Sequence, residues 1–159
     1  MEGRHKELWI RRALFMLLPL VGVLALLNLF GQRPQSTTAA VSGAELKLYA
    51  PARVRSGLLY QARFTITAKQ EVKKAILVLE PGWAEGMTIN TLEPSPVSEG
   101  SADGKLLFEL GHIPAGDTYR LFMQFQVNPT NVGRRSADVS LYDGERKLTT
   151  IDRTVTVWP

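Results

Sequence analysis

Leu59–Lys69 reads LYQARFTITAK. Tyr60, Ala62, Phe64, Ile66 and Ala68 fall at every second position, with Gln61, Arg63, Thr65, Thr67 and Lys69 between them. Side chains along a strand alternate between faces, so this run is a strand with one apolar and one wet face.

The same period of two continues on both sides. Upstream, Glu45–Tyr49 is a short strand that ends at Pro51. Downstream, Val72–Glu80 ends at Pro81-Gly82, and its middle, Ala75–Leu79, is apolar on both faces. Met87–Leu92 is a weaker strand, closed by Glu93-Pro94-Ser95-Pro96. Ser98–Gly104, SEGSADG, reads as a turn, and Lys105–Leu110 then puts Leu106, Phe108 and Leu110 inward. After the loop Gly111–Asp117, Thr118–Asn128 turns Tyr119, Leu121, Met123, Phe125 and Val127 inward and Arg120, Gln124 and Gln126 outward. Ser136–Tyr142 places Ala137, Val139 and Leu141 inward, and Asp143-Gly144 signals a hairpin. The last strand runs from Lys147 to Val157. Regularly spaced strands without an amphipathic helix predict an all-β domain, an Ig-like antiparallel β-sandwich of about seven to eight strands. A barrel is the minor alternative.

Further upstream the character changes. Residues 31–43, GQRPQSTTAAVSG, are small, polar and aperiodic, and read as a flexible linker ahead of a domain at 44–159. Residues 13–30, ALFMLLPLVGVLALLNLF, carry no charge. As a helix they would reach ~27 Å, close to the ~30 Å hydrocarbon core of a bilayer. Residues 1–12, MEGRHKELWIRR, form a basic tail in front. Basic residues before the span and only Arg33 close behind it predict a cytoplasmic N-terminus and an extracytoplasmic domain. The expected partner of residues 13–30 is therefore the lipid bilayer, in a single-pass cell-membrane protein. A cleaved signal peptide is the rival; the run is long for one, and the small-residue site Thr38-Ala39-Ala40 lies well past its end.

The chain has 159 residues, 19 basic and 15 acidic, with no block of basic residues longer than a pair. That argues against nucleic acid as a partner, which wants a concentrated basic face. There is no cysteine, which removes disulfides, thiolate catalysis and thiolate metal sites. Of the two histidines, His5 is in the tail and His112 sits in a Gly- and Pro-bearing corner without an evident catalytic partner. Glu80, Glu85, Asp103 and Asp143 are scattered, and no calcium-loop spacing appears. The expectation is a non-catalytic chain with no cofactor and no metal.

Landmarks in the domain are Pro51–Gly57, Tyr60–Ile66, the corner Leu79-Glu80-Pro81-Gly82-Trp83 and the loop Leu110-Gly111-His112-Ile113-Pro114-Ala115-Gly116. In this order they resemble the Ig-like modules of prokaryotic envelope proteins, of the conserved-repeat and cell-adhesion-related (CARDB-type) kind. The resemblance covers about Ala44–Val157. It implies an envelope scaffold or interaction role, with no catalytic residues to carry over.

Apolar residues on faces that should be wet are the remaining signal. Phe122 and Leu107 face outward by alternation, and so does one pair of Ile76 and Val78 or Leu77 and Leu79. If the third and sixth strands are neighbours, as in an Ig-like order, Ile76, Val78 and Phe122 form one docking patch for another envelope or membrane protein. A ligand-binding module for glycan or a small molecule, stacking on Trp83 and Tyr119, is the alternative.

Overall fold

The computed structural model describes residues 3–27 and 32–159. Positions 28–31, the end of the expected span and the start of the expected linker, lie outside the described residues, as do Met1 and Glu2. The chain divides into two compact units, Met1–Gly31 and Gln32–Pro159.

The first unit is one helix, α1 (Gly3–Leu26), with Pro19 inside it. Leu8–Leu26 is long and apolar enough to cross a membrane or to serve as a signal sequence. Every described large apolar side chain along it except Leu24 is exposed.

The second unit is a β-sandwich with a small third sheet. Its strands are β1 (Pro34–Ala40), β2 (Ala44–Pro51), β3 (Arg53–Arg55), β4 (Leu59–Ala68), β5 (Val72–Leu79), β6 (Met87–Glu93), β7 (Ser98–Ala102), β8 (Lys105–Ile113), β9 (Thr118–Val127), β10 (Gly133–Ser136), β11 (Val139–Asp143), β12 (Arg146–Ile151) and β13 (Thr154–Trp158). One sheet runs β1-β2-β4-β9-β6, the other β12-β11-β5-β8-β7, and both are antiparallel throughout. The inward faces of both sheets meet in one core cluster, with Leu46, Phe64, Ile66, Leu121 and Phe125 from the first and Leu77, Leu79, Phe108, Leu141 and Ile151 from the second. The alternation in Leu59–Lys69 is realised in β4, where Tyr60, Ala62, Phe64, Ile66 and Ala68 are all buried.

Thirteen strands among the described residues exceed the expected seven to eight; besides the three-residue β3, three physical reasons account for the rest. First, the expected linker is not a free spacer. Pro34–Ala40 pairs along its whole length with β2, from Pro34↔Pro51 to Ala40↔Glu45. As an edge strand, mostly exposed, it needs no apolar alternation, and its proline stands at its first position, where a missing donor costs little. Second, Ser98–Ala102, expected within a turn, pairs with β8 as another exposed edge, and only Asp103-Gly104 makes the reversal. Both of those residues adopt positive φ, as the tight hairpin requires.

Third, the chain changes sheet within two expected strands, at the start of Ser136–Tyr142, which β10 reaches from Gly133, and in the middle of Lys147–Val157. The chain leaves β10 for β11 at Ala137-Asp138 and leaves β12 for β13 at Asp152-Arg153. The two breaks are tied together: the Arg153 N–H donates to the Asp138 carboxylate at 2.7 Å and the Ala137 N–H to the Arg153 carbonyl at 2.8 Å. β10, before the first break, and β13, after the second, join β3 in the small sheet β10-β13-β3, in which β13 and β3 run parallel.

Candidate binding face

Five outward residues stand opposite one another across the first sheet. Pairing is direct from Ser36 to Tyr49, Tyr49 to Arg63, Arg63 to Phe122 and Phe122 to Glu93. Tyr49, Arg63 and Phe122 are outward because their sequence neighbours are the buried residues of their strands, and Ser36 and Glu93 are exposed on the two edge strands. Phe122 lies between buried Leu121 and Met123 and is 46% exposed; Tyr49 is 38% exposed. The Arg63 guanidinium sits over the Tyr49 ring, 5.0 Å from its centre. This cation–π contact fixes a long side chain flat against the sheet.

Beside this row lies a second cation row, Lys47, Thr65 and Arg120. Together Lys47, Tyr49, Arg63, Thr65, Arg120 and Phe122 line an open depression of about 420 Å³. It holds three cations, two aromatic rings and no carboxylate. A second depression of about 370 Å³ continues past Tyr49 and Phe122 towards Gln32 and Leu59. The only acid in the row, Glu93, is at the β6 edge. Arginine and aromatic residues are the side chains enriched at protein interfaces, and here Tyr49, Arg63, Arg120 and Phe122 stand exposed on one face of one sheet.

The patch expected from Ile76, Val78 and Phe122 is not formed as one surface. Phe122 is on β9, whose neighbours are β4 and β6, whereas Ile76 and Val78 are on β5, whose neighbours are β8 and β11. The third and sixth expected strands therefore belong to opposite sheets. Ile76 and Val78 do face outward, but both are half-buried, Ile76 between Glu109 and Tyr142 and Val78 between Leu107 and Ser140.

The expected stacking pair is likewise separated. Trp83 is 1% exposed, with its ring 5.3 Å from Phe125 and 5.6 Å from Phe64, and its indole N–H donates to the Ala137 carbonyl at 2.8 Å. It is a core residue and offers no face to a ligand. Tyr119 is half-buried against the same core, and burial raises its hydroxyl pKa. His112, expected in a loop, is an exposed residue near the end of β8 and bonds Glu71 at 3.0 Å. Among the described residues no three His, Asp or Glu side chains gather in a way that could hold a metal ion. Tyr49 and Arg63 are the site residues that sequence reading missed. Both had been placed on their strands, but only the pairing of β2 with β4 and of β4 with β9 brings them beside Phe122.

No protein-family model matches the chain, and no curated protein matches it. Among solved structures it is similar to AvmM, which catalyzes macrocyclization in alchivemycin A biosynthesis, at 6% identity and a TM-score of 0.43 over 81% of this chain and 90% of that one. It is also similar to the chitin-binding domain of a hyperthermophilic chitinase from Pyrococcus furiosus, at 14% identity and a TM-score of 0.42 over 70% of this chain and 98% of that one. A non-cellulosomal cohesin from the hyperthermophilic archaeon Archaeoglobus fulgidus gives 16% identity and a TM-score of 0.43 over 67% of this chain and 86% of that one.

Proposed function

We propose that this chain is a non-catalytic interaction module of the cell envelope, an Ig-like sandwich held outside the cytoplasm by α1 and docking an acidic surface of a partner envelope protein. One observation carries the docking part: Tyr49, Arg63 and Phe122 stand side by side and exposed on one sheet, next to Lys47 and Arg120. Arg4, Lys6, Arg11 and Arg12, in the first half of α1 and ahead of its uncharged run, support the orientation, since positive charge is retained on the cytoplasmic side. The resemblance to CARDB-type modules supports the class of role.

Site-specific photo-crosslinking from position 124, in cells carrying the full chain, tests the docking. The expected outcome is one crosslinked protein that disappears with Arg63→Glu or Phe122→Glu and persists with Lys73→Glu, on the other sheet. Equal crosslinking in all three variants removes the proposed face. Retention of the full chain on an acidic polysaccharide matrix, lost with the same two variants, would assign the face to a glycan instead.

A further inference from the structure

We propose that one end of the sandwich is itself a lipid-binding surface that rests on anionic headgroups. Four chain segments converge there. The Ser56 N–H donates to the Trp158 carbonyl at 2.8 Å, and the Gly57 N–H donates to the Val127 carbonyl at 2.9 Å. The Val127 N–H donates back to the Leu58 carbonyl at 3.0 Å. With its amide turned so that each end meets its complement, Gln32 donates to the Leu59 carbonyl and accepts from the Arg55 N–H at 3.3 and 3.0 Å. Trp158 is in register with Arg55, and Val157 with Gly133, so Val132 lies at the same end.

The surface made there has the composition of a membrane interface. Leu58 and Val132 are each 49% exposed and Trp158 is 38% exposed. Arg33, Arg55 and Arg134 are exposed and take no carboxylate partner among the described residues. Glu85, beside Asn131, is already held by Arg135 at 3.2 Å. Aliphatic and indole groups suit the headgroup boundary, and arginines beside them suit lipid phosphates.

Lipid is the occupant because of where the chain arrives. This inference rests on α1 being a membrane anchor, as proposed above. Five peptide steps separate Leu27 from Gln32. A fully extended chain spans at most about 3.6 Å per step, so the tether allows no more than about 18 Å. On so short a tether Gln32 cannot lie farther than that from Leu27, and the Gln32 end of the sandwich is the one that carries the indole, the aliphatic pair and the three arginines.

The chain has no cysteine, so single reporters can be placed freely. The full chain is reconstituted with Leu58→Cys, Val132→Cys or, as reference, Glu145→Cys in the β11–β12 turn. Reaction with a membrane-impermeant maleimide is then timed in phosphatidylcholine vesicles and in vesicles that also contain phosphatidylglycerol. The expected result is labelling at 58 and 132 at least about tenfold slower with phosphatidylglycerol and unchanged at 145. The slowing should be lost in high salt and in a chain carrying Arg33→Glu, Arg55→Glu and Arg134→Glu. Labelling at 58 and 132 that ignores phosphatidylglycerol overturns the inference, as does equal slowing at 145. Alkaline carbonate separates the two failures. If the protein stays with the vesicles while protection is absent, only the lipid-facing end is refuted; if it is stripped off, the anchor falls and this inference with it.

Discussion

Trp83 shows how a single side chain can be misread from sequence. It follows Pro81-Gly82 in a polar corner, where an exposed platform is a fair expectation. Folding instead drives it between Phe64 and Phe125, with Arg153 over its ring at 5.3 Å and the Ala137 carbonyl on its N–H. Trp83→Ala should therefore cost about 3–5 kcal/mol, read by chemical denaturation of the full chain in detergent. Gly82, next to it, lets the β10 backbone pass close to this corner. A Cβ there would come within 1.9 Å of the Ser136 carbonyl, so Gly82→Ala should destabilise by about 1–3 kcal/mol, or more if β10 cannot shift. Tyr60 adds a dependence on pH. Burial raises its hydroxyl pKa well above the ordinary value, and its O–H donates to the Met87 sulfur at 3.2 Å. Above pH about 10 the unfolded chain releases this proton while the folded chain keeps it, so stability falls as pH rises. Tyr60→Phe should flatten that alkaline decline while leaving stability near neutral pH little changed, as pH-resolved denaturation would show.

Among the elements, β1 carries the clearest test. A free spacer exchanges all its amide hydrogens quickly, whereas an edge strand bonded on one side protects alternate amides. Hydrogen exchange over 35–40 should therefore alternate between protected and fast positions. Uniformly fast exchange would mean that the pairing with β2 is absent in solution. The signal missing from PQSTTAA is apolar alternation, and it is missing because both faces of this edge are largely exposed, although Ala39 packs partly on the core. The break between β10 and β11 was hidden for the opposite reason. Ala137 and Val139 are both buried and two apart, so the period of two runs on through the point where the chain leaves one sheet for another.

For the whole molecule, the docking face and the fold make separable demands. Phe122 is exposed, so Phe122→Glu should change unfolding free energy by no more than about 0.5 kcal/mol while abolishing the crosslink. A large loss of stability would instead make Phe122 a packing residue. What sequence alone determined was local: an apolar helix too greasy for water, strands marked by alternation, and which side of β4 and β9 is buried. Those follow from contacts within a few residues of chain, where period and composition suffice. Which strands lie side by side was decided only in three dimensions, because the closure of loops of tens of residues leaves no mark on local pattern. That choice put Arg63 between Tyr49 and Phe122, sent Ile76 and Val78 to the other sheet, and gathered Arg55, Val132 and Trp158 at the end where Gln32 begins the sandwich.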